Sequence, residues 1–193
     1  MMGIKNVTMG KWVFLSSLIM FSILSCGNKK ALNKDLELMQ SSPVQLPLGN
    51  MECLMNGKDT VLENFDDSKM KLIIYTDSTV CSPCALNELY LWNRIISTTN
   101  IYGAKMKYYF IFAPKREELD MVEFMLKTNT FYYPVFIDKA NVFSVNNSHL
   151  PSNTMLHTFL LNERNEVIMV GSPLQNADIY DIFHQILKDE LSD

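Results

Sequence analysis

The sequence lacks an excess of positive charge, and it lacks an apolar stretch long enough to cross a membrane. Lysine and arginine total 17 against 21 acidic residues, for a formal net charge of -4. This balance argues against a nucleic-acid-binding protein, which attracts phosphate through basic surfaces. The long apolar run, Trp12 to Leu24, has about 13 residues, whereas a spanning helix needs roughly 20. Repeats and low-complexity segments are also missing, so the sequence predicts one folded domain behind a short leader.

The leader has the pattern of a secretory signal peptide over residues 1–25. Lys5 and Lys11 precede the apolar run, which ends in Ile23-Leu24-Ser25-Cys26-Gly27. This ending resembles a bacterial lipobox, which implies cleavage before Cys26 and lipidation of that residue; the alternative is an ordinary signal peptide with a cysteine nearby. Gly27 implies, by the same resemblance, an anchor in the outer membrane. The mature protein would then face the periplasm, where disulfides persist.

The rest of the chain divides by composition into a tether and a domain. Residues 26–47 are polar and indicate a lipid-anchored tether, with one helical turn at Leu32 to Met39. Hydrophobic residues make up 48% of the whole chain, which is enough to build a core. We expect that core in residues 48–193.

Four residues in this domain, Cys81-Ser82-Pro83-Cys84, carry the main chemical signal. Two cysteines separated by two residues can form and open a disulfide, although the same spacing also occurs in zinc sites and in inert disulfides. The apolar run Lys71 to Tyr75 predicts a buried strand before the motif, and a helix follows from Pro83 to about Thr98. Cys81 is the candidate attacking thiol at the helix start, and Cys84 is the candidate resolving thiol, less exposed than Cys81.

Hydrophobic periodicity and turn signals predict a β-β-β-α-β-α-β-β-β-α order. The first hairpin turns at Asn56-Gly57, and the second turns at Asn162 to Asn165. The predicted strands are Met51 to Leu54, Thr60 to Leu62, Leu72 to Tyr75, Lys107 to Ala113, Tyr133 to Ile137, Thr158 to Leu161 and Val167 to Val170. The later helices of this order are Arg116 to Lys127 and Ala177 to Leu191, and a short additional helix is indicated at Asn141 to Val145.

With this order in place, the domain resembles the TlpA/ResA group of envelope-anchored thioredoxin-like proteins. Those proteins typically read V-x-L-x-x-F, a strand, C-x-P-C and later P-T-x-F-L-I-D. Leu62 and Phe65, with Val61 beside them, correspond to the first motif, and Thr158 to Asn162 corresponds to the last. The resemblance implies an α/β thioredoxin-like fold, with a central mixed sheet, helices on both faces and an N-terminal β-hairpin extension.

The sequence departs from the group at two positions beside the cysteines. Alignment at Thr158 places Leu156 where the group has a cis-proline that helps to bind the substrate chain, and we expect a trans bond there. Val80 stands where a tryptophan commonly precedes the first cysteine. Val80, Ser82, Pro83, Leu156 and His157 are therefore the candidate substrate-binding or tuning residues.

His157 and Cys53 each have two interpretations. His157 could polarise Cys81, or it could join Cys81 and Cys84 in holding a soft metal such as Cu(I); a packing role is the alternative. Cys53, in the first hairpin, is expected to be buried and unpaired, with a distant resolving role as the alternative.

The leading functional hypothesis is a membrane-anchored thiol–disulfide oxidoreductase with no cofactor beyond the Cys81–Cys84 disulfide. Its partners would be protein thiols or disulfides in the periplasm and an upstream reductant or oxidant protein. One alternative is a non-catalytic or copper-binding module. Another is a peroxiredoxin-like peroxidase, for which Ser78 matches the residue three positions before the cysteine, while Ile74 stands where proline is expected.

Overall fold

The computed structural model describes residues 29–60, 67–128 and 131–192. The chain divides into two compact units, Met1–Leu38 and Met39–Asp193. Helix α1 covers residues 29–39, longer than the single predicted turn, and most of its residues are exposed. The predicted signal peptide, Cys26 and the segment Val61 to Phe65 lie outside the described residues.

The second unit is an α/β structure built on one seven-stranded sheet. Its strands are β1 (Glu52–Met55), β2 (Lys58–Asp59), β3 (Met70–Thr76), β4 (Met106–Phe112), β5 (Val135–Ile137), β6 (Thr158–Leu161) and β7 (Val167–Val170). They lie in the order β2-β1-β5-β4-β3-β6-β7. Strands β3, β4 and β5 are parallel neighbours, and the outer strands pair antiparallel. The predicted mixed sheet is confirmed.

Helices cover both faces of this sheet. They are α2 (Ser82–Asn87), α3 (Trp92–Thr99), α4 (Leu119–Thr128), α5 (Val142–Asn146) and α6 (Ala177–Leu191). Because side chains alternate along a strand, Leu72 and Ile74 of β3 join the main core cluster with residues of α3, α4 and α6. Tyr75 points the other way and packs against Phe143 of α5, with ring centroids 4.7 Å apart. All seven residues of β3 are buried, as expected for a central strand covered on both faces.

The first hairpin turns where predicted, but its second strand starts earlier. Asn56 and Gly57 both adopt positive φ angles, 51° and 73°, as a two-residue hairpin turn requires. This turn pairs Met55 with Lys58 directly, so β2 covers Lys58–Asp59 and ends before Thr60. Val61 and Leu62 of the predicted strand lie outside the described residues. A Cβ atom at position 57 would collide with the carbonyl oxygen of Lys127, which leaves glycine as the fitting residue.

The predicted single helix after the cysteines is interrupted. Helix α2 ends at Asn87, a 3-10 turn covers Leu89–Leu91, and α3 begins at Trp92. Hydrophobic periodicity in the sequence predicts an apolar stripe of Ala85, Leu89, Trp92 and Ile96 for one continuous α-helix. The buried residues instead recur every third position, at Leu86, Leu89, Trp92 and Ile95, in accord with the three residues per turn of a 3-10 segment.

The second unit includes residues before the predicted domain start at Leu48. The backbone N–H of Val44 donates to the carbonyl oxygen of Asn165 over 2.8 Å. The N–H of Gln45 donates to Oδ1 of Asn147 over 2.7 Å. Val44 is buried, so part of the predicted tether packs onto the domain.

Candidate redox site

Cys81 and Cys84 form a disulfide at the start of α2, with their Cα atoms 5.3 Å apart. Cys81 is the N-cap residue of this helix, and the backbone N–H of Cys84 donates to Sγ of Cys81 over 3.3 Å. Pro83 lies in the first turn, where a missing N–H breaks no helical hydrogen bond. Both cysteines are exposed to solvent. A partner sulfur can approach this disulfide from solvent.

A tight turn after β3 positions Cys81 at the carboxyl edge of the parallel strands. Oδ1 of Asp77 accepts hydrogen bonds from the backbone N–H of Thr79 over 2.8 Å and from its hydroxyl over 2.5 Å. The N–H of Val80 donates to the carbonyl oxygen of Asp77 over 3.2 Å. Asp77 thus fixes the path of the chain from the central strand to the first cysteine.

The disulfide lies in an open groove of about 390 Å³. We call it the disulfide groove; it is lined by Ile74, Tyr75, Thr76, Val80, Cys81, Cys84, Ala85, Glu88, Leu89, Trp92, Phe112, Thr154, Met155, Thr158, Ser172, Leu174 and Gln175. Val80 contributes to the lining of this groove. Thr158 belongs to it because β6 pairs antiparallel with β3, which sets Thr158 opposite Ile74 near the cysteines.

Met155, and not Leu156, faces the groove beside the cysteines. Thr154–Leu156 forms a 3-10 turn in which Leu156 is buried, whereas Met155 is 81% exposed. The side chain of Asn153 accepts a hydrogen bond from the N–H of Met155 over 3.2 Å and caps this turn. The described residues contain no cis peptide bond. Thr154 and Met155 are therefore the residues of this turn that line the groove.

His157 lies in a separate polar pocket of about 280 Å³. We call this the polar pocket; it is lined by Tyr75, Asp77, Ser78, Asn141, Ser144, Asn147, Ser148, Leu150, Pro151, Ser152 and His157. Tyr75 lines both cavities. Within the described part of the chain, no three His, Cys, Asp or Glu side chains are grouped so as to hold a metal ion. Cys81, Cys84 and His157 are thus not brought together as the ligand set that the copper hypothesis needs.

Three other candidate residues have clear positions. Ser82 is fully buried and does not line the groove. Ser78, the residue behind the peroxiredoxin hypothesis, lines the polar pocket and not the groove that holds Cys81. Cys53 is a free, half-buried cysteine in β1, and burial raises the pKa of its thiol to about 11. None of these residues adds a reactive group to the groove.

Several groove residues escaped sequence reasoning. Hydrophobic periodicity places Trp92 in the core, and no sequence motif includes Glu88, Ser172, Leu174 or Gln175. The segment Ser172 to Gln175 follows β7, which lies two strands from β3 in the sheet. This strand order brings the segment close to the groove. A usable signal existed for Thr158, since the first residue of a strand antiparallel to β3 must lie near the end of β3.

A mixed sheet whose central parallel strand leads into a CxxC disulfide at a helix start defines a thioredoxin-like α/β fold. The chain is similar to a solved putative protein disulfide isomerase from Bacteroides thetaiotaomicron, at 17% identity and a TM-score of 0.48, covering 74% of this chain and 86% of that one. It is also similar to a putative thiol:disulfide interchange protein DsbE from Chlorobium tepidum, at 14% identity and a TM-score of 0.47, covering 71% and 91%.

A third similar structure is the exposed lipoprotein thioredoxin Etrx1 from Streptococcus pneumoniae, at 16% identity and a TM-score of 0.45, covering 72% of this chain and 98% of that one. No protein-family model and no curated protein sequence matches the chain. Among the described residues, no helix has the length and apolarity to cross a membrane.

Proposed function

We propose that this protein is a thiol–disulfide oxidoreductase that acts through Cys81 and Cys84. The observation that carries the proposal is the exposed disulfide in an open groove, with the N–H of Cys84 directed at Sγ of Cys81. A hydrogen bond to sulfur favours the thiolate over the thiol. The thiolate is the species that attacks a disulfide, so this contact prepares Cys81 for exchange.

The reaction exchanges two electrons and two protons between two cysteine pairs. In the reduced protein, the Cys81 thiolate attacks one sulfur of a partner disulfide, which forms a mixed disulfide and releases a partner thiolate. The Cys84 thiolate then attacks Sγ of Cys81, which re-forms the Cys81–Cys84 bond and releases the second partner thiol. The reverse sequence, begun by a partner thiolate, reduces the protein. No cofactor beyond the cysteine pair is needed.

The proposed location is the cell envelope, with the mature chain attached through lipid on Cys26. The lipobox-like sequence at Ile23 to Gly27 supports this assignment. Disulfides persist in the oxidising space outside the cytosol. An outer-membrane anchor facing the periplasm would place the groove among envelope proteins. The partners would be their thiols or disulfides, together with a protein that resets the redox state of Cys81 and Cys84.

Trapping of mixed disulfides tests this function. Cys84→Ser removes the resolving thiol, so the variant should accumulate a covalent adduct with a peptide that contains a disulfide. Cys81→Ser should form no such adduct, and Cys53→Ser, which changes a half-buried cysteine of β1, should turn over like the unaltered protein. If Cys84→Ser gains no adduct and the unaltered protein reduces no disulfide, the proposed activity is wrong.

A further inference from the structure

His157 joins three parts of the polar pocket. Its backbone carbonyl oxygen accepts a hydrogen bond from the N–H of Tyr75 over 2.9 Å, which ties it to β3. Its Nε2 atom lies 2.9 Å from the carbonyl oxygen of Pro151, which closes the loop that contains Met155. Its Nδ1 atom lies 3.7 Å from Oδ2 of Asp77. One buried side chain therefore lies between the two loops that flank the disulfide groove.

The contact with Pro151 fixes the tautomer of neutral His157. A carbonyl oxygen only accepts hydrogen bonds, so Nε2 must carry the proton and donate. Nδ1 is then a bare acceptor that faces a carboxylate oxygen, and this buried nitrogen has no hydrogen-bond partner among the described residues. A second proton on the ring would go to Nδ1. It would turn two facing acceptors into an ion pair.

Each end of this contact adjoins a chain segment that lines the disulfide groove. Asp77 shapes the turn that leads through Val80 to Cys81. His157 follows the 3-10 turn of Thr154–Leu156, which presents Met155 to the groove. Attraction between Asp77 and His157 therefore draws the turn before Cys81 and the Thr154–Leu156 turn together. Loss of this attraction lets the Thr154–Leu156 turn move away.

Tyr75 and Asp138 are the other ionisable groups near this contact. Burial, together with Asp77 and Asp138, raises the pKa of Tyr75 to about 12, so its phenol stays neutral. The carboxylate of Asp138 accepts hydrogen bonds from the N–H groups of Val142 and Phe143, each over 2.8 Å. Histidine is the ordinary side chain that changes charge between about pH 5 and 8.

We propose that His157 and Asp77 form a proton-dependent clasp that positions the Thr154–Leu156 turn against the turn before Cys81. His157 is a positioning residue in this scheme, since it does not line the disulfide groove. Protonation closes the clasp, so disulfide exchange at Cys81 is favoured at lower pH relative to a protein without the clasp. The proposal rests on the proposed exchange activity, but the clasp itself is a property of the oxidised protein.

The first test measures the rate of exchange with a disulfide-containing peptide from pH 5 to 8.5 in the unaltered protein and in His157→Gln. The ratio of the two rates cancels the titration of Cys81, which both share. We expect the rate of the unaltered protein divided by the rate of His157→Gln to fall by roughly threefold or more as pH rises. A change of this size is in the range of a single charge pair. Asp77→Asn should give the same fall, and the double variant should add nothing further. His184→Gln, in α6 beside Tyr180, is the matched control and should give a flat ratio.

The second test needs no activity. In the oxidised protein, the NMR amide signals of Thr154 to Leu156 should follow pH in the unaltered protein and in His184→Gln, and this response should vanish in His157→Gln and Asp77→Asn. If the protein exchanges disulfides but the rate ratio does not change with pH and the amide signals do not respond to pH, the clasp is wrong and the proposed function stands. A protein that exchanges none while its amides respond through His157 would overturn the proposed function and leave the clasp supported.

Discussion

The ring centroids of Tyr75 and His157 lie 5.1 Å apart, and Tyr75 lines both the disulfide groove and the polar pocket. The hydroxyl of Tyr75 donates to Oδ1 of Asn141 over 3.3 Å on the side of the polar pocket. His157 itself lines only the polar pocket. Its influence on the cysteines therefore passes through the loops that it connects, and not through a contact with sulfur.

Met155 should contribute to partner binding without contributing to stability. Its side chain is 81% exposed beside the cysteines, so a bound polypeptide would cover it. Met155→Ala should slow exchange with a cysteine peptide that has apolar flanks by about five- to thirtyfold, since covering such a side chain is worth about 1–2 kcal/mol.

Met121→Ala provides the matched control for Met155, because Met121 is 53% exposed on α4 and does not line the groove. Both variants should unfold within about 0.5 kcal/mol of the unaltered protein in denaturant. Equal exchange rates in the two variants would show that Met155 takes no part in binding.

Cys53 should be nearly inert in the folded protein at ordinary pH. Burial raises the pKa of its thiol from 9.0 to about 11, so at pH 8 the thiolate is roughly a hundredfold scarcer than in the unfolded chain. Alkylation of Cys53, followed by peptide mass spectrometry at pH 8, should be correspondingly slow in the native protein and fast in denaturant. Comparable rates in the two states would contradict the burial that β1 imposes on this residue.

Alkaline pH should destabilise the fold through buried tyrosines. Burial raises the pKa of Tyr108 above its usual value and that of Tyr75 to about 12. Both phenols stay protonated in the native state while the unfolded chain releases protons near pH 10, so their contribution is complete below pH 10 and is lost as pH rises toward 12. The free energy of unfolding, measured by denaturant titration at several pH values, should be level from pH 7 to 9 and fall above 10.

Tyr108→Phe should make this alkaline fall less steep. At pH 7 the same variant should cost about 1 kcal/mol, because it removes the hydrogen bond of 2.6 Å between Tyr108 and the hydroxyl of Thr99. Tyr132→Phe, at a tyrosine that is 71% exposed, is the control and should leave the curve unchanged. If the free energy of unfolding falls equally steeply above pH 10 in Tyr108→Phe and Tyr132→Phe, Tyr108 is not the cause of the alkaline destabilisation.

The sequence was informative about the fold where local signals and the final packing agree. Apolar runs predicted β3 and β4, and Asn56-Gly57 predicted the first turn, since few residues tolerate the φ angles found there. The break between α2 and α3 was not predictable, because no proline or glycine marks it. The packing of Leu86 and Leu89 against the sheet favours a 3-10 turn there over the continuous helix that local propensity suggests.

The candidate site was predictable in its cysteines and less so in its surroundings. The position of Cys81 follows from a strand and a helix that are adjacent in sequence. The position of His157 depends on a loop whose 3-10 turn buries Leu156 and exposes Met155, and on the ring of Tyr75. Such side-chain directions are set by tertiary contacts that a single sequence does not contain.

The redox equilibrium of the Cys81–Cys84 pair tests the central claim most directly. The protein would be equilibrated in glutathione buffers of graded potential, and the fraction oxidised would be measured by alkylation and mass spectrometry. We predict a reversible transition of two electrons at Cys81 and Cys84 that is shared by Cys53→Ser and absent from Cys81→Ser. A pair that remains oxidised or reduced across the whole range, with no reversible transition, would contradict the proposed exchange function.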